Sequence, residues 1–258
     1  MQEPASADSL GEPDTGHEPP AAPRVLPGHR VGAALEVLLC SGFPTQILLI
    51  GILTGLGIPM HTEPDRLSPI FVFALSLLDS VLVVGLVWFF IYAHRESPRE
   101  MFLDQRPILR EALVGIGVVP LLLMLVLIVR ALVLTFAPQL HNVERNPFED
   151  MMQTPVNAAA FGVVVMVAGG VREEIQRAFV LRRFEQYLGG AISGIVIFSL
   201  LFGLGHIQQG MDAALATALL GAVWGALYFV RRSIVAPMVS HAAFNLTQLL
   251  TYMTLALA

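Results

Sequence analysis

From residue 33 to its end the chain is a succession of long apolar runs separated by short polar segments. No other feature constrains the fold as much. A backbone in hydrocarbon has no water to bond, so a spanning segment must satisfy its own N–H and C=O groups. About 20 apolar residues in a helix cross the ~30 Å core of a bilayer. Of the 258 residues, 55% are hydrophobic and only 14% charged. An ordinary soluble domain carries about 25% charged residues. Mean hydropathy is +0.69. The sequence therefore reads as an all-α, polytopic membrane helix bundle. Seven helices are expected, over about 31–58, 68–92, 111–137, 155–187, 190–207, 212–230 and 234–256. No internal repeat is visible.

The 15 basic residues are all arginine, and they give the expected orientation. Arg130 lies inside an expected span; the other 14, counted through the successive polar segments, run 2, 1, 4, 1, 4, 0, 2, 0. The positive-inside rule then puts the N-terminus in the cytosol, with seven spans and an external C-terminus. Residues 1–32 are rich in Pro, Ala and acids and read as a disordered acidic tail. They lack the basic start and apolar stretch of a secretory signal. Residues 33–258 form the transmembrane domain. The lysine-free composition leans towards a bacterial source, hence a bacterial cytoplasmic membrane. The partners expected are the bilayer and a peptide or protein substrate, with no nucleic acid. Cys40 is the one cysteine, which excludes an internal disulfide and reads as a packing thiol.

Ionisable groups within a bilayer are costly and call for a reason. The segment GGVREEIQRAF puts Glu173, Glu174 and Arg177 where an apolar run ends. Adjacent glutamates point 100° apart on a helix, so they take different roles. Arg177 lies one turn from either. Phe202 and His206 end the fifth helix, and His241 and Asn245 share a face of the seventh. If the fourth and fifth helices turn near Gly189, Glu173 and His206 both lie about 24–26 Å from the turn, level with each other. A straight helix over 155–187 would span about 48 Å, so this helix must tilt or bend. Asp79 and Arg130 are expected to form an ion pair, and Glu36 to reach water. The glycines at 51, 55, 57, 221 and 225 read as close-packing positions. His94 and His141 fall in loops, with no catalytic role expected.

Three motifs in order, Glu-Glu-x-x-x-Arg (173, 174, 177), Phe-x-x-x-His (202, 206) and His-x-x-x-Asn (241, 245), resemble the CPBP intramembrane proteases. That family includes the CAAX prenyl endopeptidases and bacterial Abi-type proteins. The resemblance covers about 155–250. Many members carry Phe and Gly on either side of the motif arginine, where this chain has Gln176 and Ala178.

The resemblance implies an endopeptidase in which Glu173 activates water and His206 assists and passes a proton to the leaving amine. His241 and Asn245 would donate to the oxyanion, with Glu174, Arg177 and Phe202 in support. A metal-free mechanism is the preferred reading. The chain has no His-Glu-x-x-His, and if zinc were bound its ligands would be Glu173, His206 and His241. Leader-peptide trimming or removal of C-terminal anchors is the expected bacterial role. Two alternatives stand beside it. An inactive relative could serve as an immunity factor or membrane chaperone. A small transporter would spread its charges along a path, whereas here they cluster.

Overall fold

The computed structural model describes residues 27–63, 66–144 and 146–256. Residues 1–26 of the expected tail, with Arg24, lie outside the described residues, as does Arg145. Residues 27–32 are already helical. The first expected helix is two, α1 (Pro27–Leu39) and α2 (Phe43–Gly55), meeting at 40°. Gly42, at φ 86°, makes the bend, and Pro44 supplies no N–H to continue the preceding ladder. A small hairpin follows, β1 (His61–Glu63) pairing antiparallel with β2 (Arg66–Leu67), which the apolar pattern did not signal.

The other elements fall close to expectation. They are α3 (Pro69–Ala93) and α5 (Ile108–Phe136), with a short, unexpected α4 (Pro98–Phe102) between them. Next comes a 33-residue helix, Pro155–Tyr187. It consists of α6 (Pro155–Val164), a π-helical segment (Val165–Arg172) and α7 (Glu173–Tyr187). Then come α8 (Ala191–Leu204), α9 (Met211–Arg231) and α10 (Val235–Ala256). Ser68, Ser97 and Thr154 cap α3, α4 and α6 through their hydroxyls.

Four of the described helices are long and apolar enough to cross a membrane: α3, α5, the helix over 155–187 and α9. The bent α1–α2 pair makes a fifth if it acts as one span. α8 falls short of that standard because 14 residues reach only about 21 Å. α10 carries Ser240, His241, Asn245, Thr247, Gln248 and Thr251. The polar residues that make it interesting are the ones that dilute its apolar signal.

The arginine-rich segments gather at one end of the bundle. Arg183 of α7 is 1% exposed. It donates to Glu36 Oε2 at 2.6 Å and to both oxygens of Glu96 at 2.6 and 2.9 Å. Its guanidinium lies 4.5 Å from the Phe179 ring. His94 Nε2 sits 2.6 Å from Glu36 Oε1. Glu36 is therefore buried in an ion network and does not reach water as expected. Arg231 grips Glu111, and Arg232 grips Glu185, each with two hydrogen bonds. Tyr228 donates to Met101 O and Ile234 N to Phe102 O, so α4 is tied beneath α9 and α10.

Small residues let helices approach elsewhere. A Cβ at Gly203 would lie 2.6 Å from Ala214 O, and one at Gly221 3.0 Å from the Phe202 ring. α8 and α9 thus pack nearly backbone to backbone, as expected for Gly221 and Gly225. Gly51, Gly55 and Gly57 differ from expectation, since a Cβ there would meet nothing within 4 Å.

Removing one partner of a buried ion network leaves charge without compensation, at a cost of about 3–5 kcal/mol. Arg183→Gln is therefore expected to lower unfolding stability in mixed micelles by roughly that amount. Arg182→Gln, on the half-buried neighbour, should change it by under about 1 kcal/mol.

Candidate active site

The two adjacent glutamates diverge as helical geometry requires. Glu174 is 1% exposed and Arg177 0%. Arg177 Nη1 donates to Glu174 Oε1, and His241 Nδ1 lies 2.7 Å from that same oxygen. An oxygen already accepting from a guanidinium offers no hydrogen, so Nδ1 must carry one. Nε2 of His241 is then the free ring nitrogen, and it lies 3.7 Å from Glu173 Oε2. The second glutamate thus fixes the histidine, while the first, 18% exposed at its side chain, faces the open space.

Aromatic rings complete the fixation. The His241 ring stacks on Trp224 with centroids 3.8 Å apart and planes at 17°. Trp224 Nε1 donates to Ser240 Oγ at 3.1 Å, which sets the indole. The Arg177 guanidinium lies 4.8 Å from the Phe202 ring, 5.3 Å from Phe198 and 5.4 Å from Trp224. Its Nε and Nη2 have no hydrogen-bond partner among the described residues. Ring quadrupoles take the place of those bonds. Phe202 thus packs against Arg177, and it also contacts His206, with ring centroids 4.9 Å apart.

His206 follows the end of α8. Its Nδ1 donates to Phe202 O at 2.8 Å, which leaves Nε2 as its free nitrogen. Asn245 Nδ2 donates to Val165 O at 3.3 Å, spending one of its two N–H groups on the π segment. Its other N–H is available to a ligand. The expected oxyanion pair is therefore unequal. Asn245 can donate as it stands, whereas His241 can donate through Nε2 only as imidazolium.

Glu173, His206, His241 and Asn245 line one cavity of about 670 Å³, with Phe202, Trp224 and Gly169. A second cavity of about 240 Å³ adjoins it, sharing Glu173, Phe202 and His206 and otherwise lined largely by apolar residues of α1, α2, α7 and α8. Every expected site residue is thus brought together, either on the cavity wall or directly behind it. Among the described residues no group of three His, Cys, Asp or Glu side chains is arranged to hold a metal ion.

The π segment places these groups. Such segments widen a helix locally and recur at functional sites. This one runs against α10 because Gly169 and Gly170 carry no side chain. A Cβ at Gly170 would meet Ala242 Cβ at 2.7 Å, and one at Gly169 would meet Asn245 Nδ2 at 2.5 Å. Its C-terminal end is anchored by Arg172, which donates to Asp79 of α3 and to Gln176 Oε1 at 3.0 Å. Asp79 also accepts from Thr45 and, at 3.4 Å, from Gln46. Gln176 donates to Cys40 O at 2.7 Å. The expected Asp79–Arg130 pair is not formed: Asp79 belongs to Arg172. Gln176, which departs from the usual motif, is a buried bridge between α7 and the α1–α2 bend. Trp224, Gly169, Arg172 and Asp79 are the site residues that the motifs missed. Asp79, Arg172 and the double glycine were visible in the sequence as features, though Asp79 was expected beside Arg130; Trp224 was not.

Gly169→Ala is expected to displace Asn245 and cut turnover at least about tenfold while leaving the thermal transition within a few degrees. Proteolytic turnover beside thermal unfolding of the purified protein checks this. An unchanged rate would free Asn245 from its role.

No curated protein and no solved structure matches the chain. Residues 155–247 match the family model described as Rce1-like, type II CAAX prenyl endopeptidase. The matched segment begins at the first residue of α6 and ends within α10, so it holds every motif residue described above. Over that segment the chain is similar to the CPBP/CAAX protease family, a family of membrane peptide hydrolases, and the match supports membership of it; the described helices are those of a multi-pass membrane protein.

Proposed function

We propose that the protein is an intramembrane endopeptidase that hydrolyses its substrate with a water activated by Glu173. The observation that carries this reading is the common cavity: Glu173, His206, His241 and Asn245 share one wall space while Glu174 and Arg177 stand buried behind it.

The chemistry follows from which atoms are free. Glu173 Oε2 and His241 Nε2, 3.7 Å apart, can hold one water between them. Glu173 takes a proton from that water as its oxygen attacks the peptide carbonyl. The resulting oxyanion accepts from the remaining N–H of Asn245. His241 Nε2, left without a hydrogen by the Nδ1–Glu174 bond, accepts from the same water and helps to place it. The proton held by Glu173 then passes by way of His206 Nε2 to the leaving nitrogen, and the C–N bond breaks to give an acid and an amine. Glu174 and Arg177 are positioning residues. Metal-free hydrolysis is part of the proposal.

The substrates proposed are membrane-associated proteins of a bacterial cytoplasmic membrane, cut at leader peptides or at C-terminal anchors. The test compares protein termini in membranes of cells carrying the unchanged chain or Glu173→Gln at equal expression. New termini should appear with the unchanged chain alone, and the variant should lose at least about 100-fold in cleavage. Identical termini in the two membranes would sink the reading. A zinc chelator should leave the rate unchanged; loss of activity that zinc restores would demand a metal.

A further inference from the structure

Arg130 stands inside the span α5, where a charge is costly, and its expected partner Asp79 is taken by Arg172. It has no hydrogen-bond or ionic partner among the described residues. It is not simply turned to lipid, because it lines the same 670 Å³ cavity as Glu173, His206 and Asn245. The other charged and titratable groups of that cavity end are His141, Glu144, Glu149 and Asp212. Asp212 is held by His141 at 2.7 Å, and Glu149 accepts from Asn146 N and Tyr252 Oη. Glu144 is exposed on the loop. Arg130 is thus an available cation in the cavity, set back from the proposed water-activating group.

Its height above the site follows from helix packing. Gly115 of α5 meets Ala236, Val239 and Ser240 of α10, and Leu122 shares a buried cluster with Phe244. The helices therefore run parallel, each α10 residue level with the α5 residue about 122 positions earlier. On that register Arg130 stands about 10 Å beyond the level of Asn245 and about 16 Å beyond that of His241. An extended peptide covers this in about three to five residues.

We infer that Arg130 is a specificity-determining residue that binds a carboxylate of the substrate three to five residues from the bond cut. The carboxylate is either the chain's own C-terminus or an Asp or Glu side chain, since a guanidinium grips both through paired N–H···O bonds. This rests on the endopeptidase reading for its meaning, but its test is a binding measurement that does not depend on cleavage.

The full chain carrying Glu173→Gln is placed in lipid nanodiscs and titrated with dansyl-labelled octapeptides of Ala and Leu. Three probes are used: a free C-terminal acid, the same peptide amidated, and the amide with Asp fourth from the end. The acid should bind roughly 10- to 100-fold more tightly than the plain amide. In Arg130→Gln that difference should vanish, and in Arg130→Lys part of it should survive. If the Asp peptide binds like the acid, a side-chain carboxylate suffices; if it binds like the plain amide, the terminus is what is read. Equal binding of acid and amide by Arg130 protein overturns the assignment without any reliance on a variant's folding. Acid preference that persists in Arg130→Gln overturns it too, as does absence of binding by all three. Cleavage of the acid peptide by the chain with Glu173 intact is scored separately. Acid-selective binding without cleavage would sink the endopeptidase reading and leave Arg130 in its role. Cleavage without acid preference would do the reverse.

Discussion

The site depends on a buried charge that cannot be left alone. Arg177 is fully enclosed, and an isolated cation there would cost several kcal/mol. Glu174 compensates it, and three aromatic rings surround the rest of the guanidinium. Because the shared oxygen of Glu174 also takes the His241 Nδ1–H, the compensation fixes the His241 ring as a by-product of satisfying a structural charge. One turn of α7 thus reaches across to α10 and sets the face that His241 presents to Glu173.

The same helix solves a second problem. Glu173 must project into a cavity within a bundle whose helices otherwise meet through apolar side chains. The π segment before it, pressed against α10 at Gly169 and Gly170, brings its wall close enough for Asn245 to bond a helix carbonyl. Arg172 then locks the end of that segment to α3 through Asp79, and Gln176 locks the next turn to the bend at Cys40. The three N-terminal helices carry no motif residue, yet they hold the helix that bears Glu173 and Glu174 from behind. Their contribution is positional: a polar anchor inside hydrocarbon has few alternative partners, so it defines one register of α3 against the π segment.

Much of this was legible in the sequence, for physical reasons that can be named. Apolar runs of the right length gave the long helices, because a bilayer leaves them no other conformation. Motif spacing put His241 and Asn245 on one face, and the turn near Gly189 put Glu173 level with His206. The break at Gly42–Pro44 was hidden because the apolar run continues through it. The π segment was hidden because no residue type specifies it; it follows from packing against α10. Asp79 was paired with Arg130 on depth alone, when a second arginine, Arg172, could reach it from the helix over 155–187. Glu36 was misjudged for the same reason, since nearness to a helix end does not reveal which neighbouring helix covers it. Trp224 carried no signal, because its role exists only once α9 lies beside α10.

The buried Glu174–Arg177 pair determines which nitrogen of His241 faces the cavity. The direct measurement is the ¹⁵N spectrum of histidine-labelled protein in bilayers, with the His241 signals assigned by their loss in His241→Gln. The account predicts a hydrogen on Nδ1 at neutral pH, with Nε2 the nitrogen whose shift responds when Glu173 is replaced by Gln. A His241 ring protonated at Nε2 with a bare Nδ1 would contradict it, and would leave Glu174 without its place in the catalytic arrangement.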